Sequence, residues 1–213
     1  MPTIAQRLMA NPVFSAVYEA AWRPTFTRLF SLGGTATAEY DKAFTAYLAR
    51  AGERQILDVA CGPGLYTRRL AANLTGDGRC VGVDFSAAML ARAARSPHAK
   101  TTFVRGDAHH LPFPDGSFDT VACFAALYLI PDPLPVVDEL VRVTKPGGEI
   151  AIFTSVRTAV SSLPGVETIG NLGGYHFFGR HEIPDRLRRN GVAQIEQTVV
   201  DQGQFVLATK DQG

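Results

Sequence analysis

Three aspartates stand where strand-like runs end. Asp58 lies in the run Ile56–Val59, Asp84 follows Cys80–Val83, and Asp107 closes Arg105-Gly106-Asp107 after Thr102–Val104. Asp84 comes 26 residues after Asp58, and between them Ala60-Cys61-Gly62-Pro63-Gly64 forms a glycine-rich turn ahead of a helical stretch. Glycine lets a backbone come close to a ligand, and a helix start offers free N–H groups to an anion. A carboxylate at the end of the second strand is placed to accept both hydroxyls of a ribose. One strand further out, a carboxylate can accept from an exocyclic amine such as that of adenine. A single aspartate at such a place is often only a turn or capping residue. Three at successive strand ends, beside a glycine turn, describe a nucleoside site. The dinucleotide fingerprint is not met, because Gly62-Pro63-Gly64-Leu65-Tyr66-Thr67 carries threonine where the third glycine belongs.

Holding those residues requires alternating strands and helices. Short apolar runs at Ile56–Val59, Cys80–Val83, Thr102–Val104, Phe118–Phe124 and Glu149–Phe153 alternate with helical stretches near Thr67–Asn73, Ala87–Arg95 and Leu134–Val143. Asp132-Pro133 offers the last helix a capping residue, and Lys145-Pro-Gly-Gly stops it. Near-continuous apolar strands joined through helices imply a parallel sheet covered on both faces, doubly wound by right-handed crossovers. Ile195–Val200 and Gln204–Ala208 are separated only by Asp201-Gln202-Gly203, which suits an antiparallel hairpin with a bulge. The expected fold is therefore α/β, a seven-stranded, mostly parallel, doubly wound sheet with one antiparallel C-terminal strand. Residues 1–52 read as an N-terminal helical cap and 53–213 as the sheet domain, together one compact unit. Within the cap, Phe14–Trp22 forms a helix limited by Pro24, and Glu39–Ala51 forms a second with Gly52 as its stop.

The totals narrow the field. The 213 residues (23.0 kDa) are 46% hydrophobic, which excludes a disordered chain and suffices for one buried core. Lys plus Arg number 21 against 20 Asp plus Glu, a balance that argues against nucleic acid as the partner. Cys61, Cys80 and Cys123 form no CxxC pair and read as buried reduced thiols, so neither metal nor disulfide is expected. Arg7, Asn11 and Glu19 interrupt any secretory apolar core, and no run reaches the roughly 20 residues needed to span a bilayer. A cytoplasmic protein is the expectation.

Four segments, taken in order, resemble the class I S-adenosylmethionine-dependent methyltransferases. They are Asp58-Val-Ala-Cys-Gly-Pro-Gly64, Val83-Asp-Phe-Ser-Ala-Ala-Met89, Gly106-Asp-Ala-His-His-Leu-Pro-Phe-Pro-Asp-Gly-Ser-Phe-Asp119 and Glu139-Leu-Val-Arg-Val-Thr-Lys-Pro-Gly-Gly148. Phe178 to Lys210 is similar to the closing helix and hairpin of that family. The resemblance implies S-adenosyl-L-methionine as cofactor. It assigns Asp58, with the backbone at Ala60 and Gly62, to the methionine moiety, and Asp84 to the ribose. Phe85 and Met89 then flank the adenine, and Asp107 with the Ala108 N–H receives its amino edge. Phe124 and Ala125 line the cofactor beneath the reactive methyl, and Tyr18 in the cap reaches its carboxylate. Two departures stand out. Ala60 replaces a frequent glycine, and Tyr128-Leu129 replaces a frequent histidine pair.

The expected activity is methyl transfer to a small, partly apolar acceptor by in-line substitution. No general base follows from that reaction class, since amine, thiolate or enolate acceptors need little help. Tyr128 and His176 are the pocket candidates, while His109 and His110 are expected to be solvated beside the adenine. Trp22 and Arg23 join Tyr18 in the cap. The segment from Ser155 to Arg180, with Leu163, Val166, Tyr175, Phe177 and Phe178, is expected to build an acceptor pocket of apolar character. Other readings are a cofactor-binding module without turnover and a nicotinamide-dependent oxidoreductase, the latter disfavoured by Thr67 and the C-terminal hairpin.

Overall fold

The computed structural model describes residues 36–159, 161–162 and 175–212. Its elements in chain order are α1 (Ala36–Leu48), β1 (Gln55–Val59), α2 (Leu65–Ala71), β2 (Arg79–Asp84), α3 (Ala87–Ala93) and β3 (Thr101–Arg105). There follow β4 (Phe118–Phe124), a 3-10 turn at Leu127–Leu129, α4 (Leu134–Val143), β5 (Thr144–Ser155), α5 (Glu182–Arg189), β6 (Gln194–Val200) and β7 (Gly203–Thr209). The seven strands form one sheet in the order β3-β2-β1-β4-β5-β7-β6. β7 runs antiparallel to both β5 and β6, and the other pairings are parallel. The expected fold class is the observed one.

Period-two alternation sends successive side chains to opposite faces. Leu57, Val59, Val121, Cys123, Ile150 and Ile152 pack with α4 and α5 through Val137, Leu140, Ile183 and Leu187. Ile56, Ala122, Phe124, Ala151 and Phe205 pack on the opposite face with Phe44 and Leu48 of α1 and Leu70 of α2. Phe205 is the hub of that second layer. Its ring stacks on Phe153 at 4.2 Å and meets Tyr40 and Phe44 of α1 at 4.6 and 5.5 Å. Hydroxyls fasten the same helix: Tyr40 donates to Thr198 and Thr37 to Asp201.

Several local expectations shift. The helix expected over Glu39–Ala51 ends at Leu48, because Arg54 and Asn73 donate to the Leu48 and Ala49 carbonyls that another turn would have used. Gly52 is therefore not its stop. α2 starts two residues earlier than expected, from a left-handed Gly64. Asp132 does not cap α4: its backbone is left-handed (φ 45°), and Pro133 occupies the cap position without a side-chain bond. Val200 pairs with Gly203, so the hairpin loop is the two residues Asp201 and Gln202 rather than three. Among the described residues no helix is long and apolar enough to cross a membrane, and all three cysteines are free and buried.

Truncating Phe205 to alanine should cost about 3–5 kcal/mol in denaturant unfolding, as for other buried aromatics. The loss should come with loosened packing of α1, read as faster amide exchange along that helix.

Candidate functional site

The strand order reverses between β1 and β4, and in open α/β sheets the crevice beyond the strand ends at such a point receives ligands. The residue just past each of these two strands is a left-handed alanine, Ala60 at φ 56° and Ala125 at φ 52°. This backbone region costs a non-glycine residue roughly 1–2 kcal/mol. It is held here by the neighbouring strands: the Cys61 N–H donates to the Val83 carbonyl (3.0 Å), and the Ala125 N–H to that of Phe153 (2.8 Å).

Asp84 ties the two sides of the glycine turn together. One carboxylate oxygen accepts the Gly62 N–H and the other the Ser86 N–H, each at 2.8 Å. Burial raises its pKa, and these two hydrogen bonds oppose the rise. Ser86 in turn caps α3 by accepting the Met89 N–H. Asp58 faces the α2 side of the sheet, 1% exposed, and takes a hydrogen bond of 2.6 Å from the Thr67 hydroxyl. Burial, with a smaller contribution from the Asp84 charge, pushes Asp58 up to about 7 against the pull of Thr67. The threonine that breaks the dinucleotide fingerprint is thus the partner of the first aspartate. The Cys61 thiol is also pushed up by burial and is an inert neighbour rather than a nucleophile.

The glycines of the turn differ in what surrounds them. A Cβ added at Gly62 meets nothing within 4 Å, whereas one at Gly64 would come within 2.6 Å of the Phe103 ring. Gly62 borders open space and Gly64 is packed.

Around this centre, Phe85 is an exposed ring just past β2, and Met89 is buried on α3. Asp107 sits in the loop after β3 with its side chain 65% exposed, and Ala108 packs against the core. Phe124 turns its ring into the second layer, edge-on to Tyr66 at 5.0 Å, so its backbone rather than its side chain borders the crevice. Sequence reasoning passed over the props of this region. The Tyr66 hydroxyl donates to Asp41 of α1. Arg142 reaches the Leu111 and Phe113 carbonyls, Glu139 and Asp115, while Glu139 also accepts the Leu111 N–H. Glu139 and Arg142 stand at i, i+3, a spacing that signals a helix pair but not its target loop.

On the far side of β4, Tyr128 and Tyr175 lie 4.5 Å apart by ring centroid, with Phe177 next to Tyr175 at 5.0 Å. The His176 N–H donates to the Tyr128 carbonyl, and its ring lies 3.2 Å from Glu182. Tyr128 and His176 are thus brought into one strip of structure, with the imidazole turned toward α5. Tyr18, Trp22, Arg23, Leu163 and Val166 lie outside the described residues. No cluster of metal-ligating side chains occurs among the described ones.

Residues 57–152 match the model of a methyltransferase domain. Those residues form a domain of the class I S-adenosylmethionine-dependent methyltransferase type. An uncharacterized chloroplastic methyltransferase of Arabidopsis thaliana is 29% identical over 97% of this chain and 60% of its own length. The demethylmenaquinone methyltransferase of Bacillus licheniformis is 34% identical over 66% of the chain and 53% of its own. The chain therefore spans little more than half the length of these relatives. In fold it is similar to Haemonchus contortus phosphoethanolamine N-methyltransferase 2, solved with S-adenosyl-L-methionine, at TM-score 0.70 and 19% identity over 84% of this chain and 53% of that one. S-adenosylmethionine is the cofactor of this methyltransferase family. The donor set fits it, with two buried carboxylates at adjoining strand ends and open space over Gly62 for a ligand that carries cationic and hydroxyl groups.

Two measurements check this geometry. Gly62→Ala should lower stability by about 1 kcal/mol, from backbone strain alone. Gly64→Ala should lower it further, because Phe103 must move. The Asp58 shift has its own signature. Between an unfolded pKa of about 4 and the folded value of about 7, the native state holds a proton that the unfolded chain has lost. Stability should then fall as pH rises through that window. Asp58→Asn keeps the Thr67 contact without the charge, and should be more stable than wild type by about 2–4 kcal/mol at pH 8, with the gap closing by pH 4. An equal gap at both pH values would refute the shift.

Proposed function

We propose that the protein transfers the methyl group of S-adenosylmethionine to a small, partly apolar acceptor. The observation that carries this reading is the pair of buried carboxylates, Asp58 and Asp84, on either side of an open glycine turn. When bound, the cofactor supplies a methyl group made electrophilic by its sulfonium. The residues of the chain bind, orient and keep water out.

Asp58 and the backbone at Ala60 and Gly62 attend the methionine moiety, where a carboxylate held near neutrality is ready to ionise beside a cation. Asp84 already spends one lone pair of each oxygen on backbone N–H groups, which fixes its plane for the ribose hydroxyls. Phe85 and Met89 flank the adenine, and Asp107 and Ala108 meet its amino edge. The backbone at Phe124 and Ala125 closes the floor beneath the methyl. In the proposed cap of residues 1–52, Tyr18 reaches the cofactor carboxylate.

The acceptor side is built from Tyr128, Tyr175 and Phe177, an aromatic strip that favours a flat or apolar molecule over a highly charged polymer. That preference agrees with a relative named for demethylmenaquinone, and with a charge balance that offers no basic surplus for nucleic acid. In-line attack requires the acceptor atom to be held at about 3–3.5 Å, which a rigid aromatic wall can do without a base. His176 stands at the edge of that strip with Glu182 behind its ring, so it is the residue to examine where the acceptor must lose a proton. Three buried reduced thiols suit the cytoplasm.

Asp84→Ala should weaken S-adenosylmethionine binding at least tenfold by calorimetry. It should also destabilise the fold, because the Gly62 and Ser86 N–H groups lose their acceptor. Asp84→Asn, which keeps one acceptor oxygen, should fold better and still bind weakly. Unchanged affinity in both variants would sink the assignment. Cofactor binding with no S-adenosylhomocysteine formed from a panel of quinol, phenol and amine acceptors would favour a binding module without turnover.

A further inference from the structure

His109 is the one residue of the adenine-side loop whose ring joins two loops. Its Nδ1 lies 3.0 Å from an oxygen of Asp107, in the loop after β3. Its Nε2 lies 2.9 and 3.1 Å from the carbonyls of Pro131 and Asp132, in the loop between β4 and α4. The expectation of a solvated side chain is not met, since only 23% of it is exposed. A carbonyl oxygen accepts and never donates, and so does an ionised carboxylate. A neutral imidazole has one N–H and one lone pair, which would leave a lone pair pointed at an oxygen on one side or the other. Only the imidazolium donates in both directions.

The rest of the loop is already fastened further along, where Arg142 and Glu139 hold Leu111 and Phe113. The stretch at Asp107–His110 has a different attachment, which is His109. Its backbone N–H and its ring both engage Oδ1 of Asp107, leaving Oδ2 for a ligand. At the other end the ring meets the carbonyl of Asp132, one of four non-glycine residues with a left-handed backbone among the described residues. That strain is sustained where a partner over-determines the geometry.

We propose that His109, as the imidazolium, is a positioning residue that clasps the loop after β3 to the loop after β4 and aims the Asp107 carboxylate at the adenine amino group. This rests on the reading of Asp107 as the adenine acceptor. The charged group facing the ring is Asp107 on its own loop, and Asp132 on the opposing one meets it through its main-chain carbonyl. His110 acts on Asp107 from the next position, and Arg186 of α5 acts on Asp132. The balance favours the charged form. Burial pulls the imidazole down, but the Asp107 hydrogen bond, the Asp132 and Pro131 carbonyls and the Asp107 charge together raise it. The clasp is therefore fully formed below the ordinary histidine value, and lost as pH rises through the elevated one. Cofactor affinity should fall with it.

The test measures S-adenosylhomocysteine binding by calorimetry from pH 6 to pH 9 in wild type, His109→Gln and Asp107→Ala, with an NMR titration of the His109 ring in the wild-type chain. Wild type should lose about three- to tenfold more affinity over that range than His109→Gln, whose amide does not titrate. The ring should titrate above the ordinary histidine value without ligand, and higher still with it. Equal pH slopes in wild type and His109→Gln, with Asp107→Ala weakened, overturn the clasp while leaving the cofactor site in place. Unchanged affinity in Asp107→Ala at pH 6 overturns the placement of the adenine, and the clasp's role with it. A ring that titrates at or below the ordinary value overturns the proposal even if His109→Gln proves unstable.

Discussion

A single buried carboxylate organises the ligand side of this sheet. Asp84 is a β2 residue, yet its oxygens are occupied by N–H groups from the turn after β1 and from the start of α3. Taking that charge out of water is costly, and two charge-assisted hydrogen bonds offset the cost only while both donors stay in place. The turn cannot open without stranding the carboxylate. With its shape held, the Cys61 N–H meets Val83, Gly64 enters the left-handed region, and α2 begins where Thr67 lands beside Asp58. The second carboxylate owes its hydrogen bond to the geometry imposed by the first.

Both layers of the fold support this centre from beneath. On one face, α1 reaches the start of α2 through Asp41 and Tyr66, and Tyr66 rests edge-on against Phe124, the last residue of β4. On the other face, α4 holds the loop after β3 through Arg142 and Glu139. The Glu139 carboxyl is held below its ordinary range chiefly by the Arg142 hydrogen bonds. A partly buried bidentate pair of this kind is worth more than an exposed one. It also accounts for a glutamate and an arginine three residues apart in a helix whose other members are mostly apolar.

Much of this was legible in the sequence. Asp58, Asp84 and Asp107 announced themselves by position at strand ends, and seven short apolar runs with a two-sided burial pattern gave the sheet and its antiparallel finish. The misses share a physical cause. The end of α1 is set by side chains outside the helix, Arg54 on the Leu48 carbonyl and Asn73 on that of Ala49, 24 residues away. Asp132 looked like a cap because aspartate before proline favours one locally, but its carbonyl is claimed by His109, 23 residues away in sequence. Thr67 registered only as a missing glycine, since its value lies in a contact with Asp58 that periodicity alone does not reveal. Local propensity reads local bonds, and these residues are committed to distant ones.

Ala60 and Ala125 carry the consequence furthest. Two neighbouring strands each end in a non-glycine residue forced left-handed, and in both the adjoining N–H is taken by the strand beyond, β2 in one case and β5 in the other. The sheet itself therefore bends the two chains apart at the switch point, at a cost of roughly 1–2 kcal/mol each. That strain is held by the scaffold itself, through hydrogen bonds to the adjoining strands. Glycine at position 60 would relax that backbone and lessen the cost. Alanine keeps one more methyl group and one less conformational freedom where the chain turns away from the sheet. The strands thus hold the turn side of the switch point rigid, while the proposed acceptor side, the aromatic strip beyond β4, is held by the Tyr128 carbonyl and the Ser155 hydroxyl rather than by the sheet ladder.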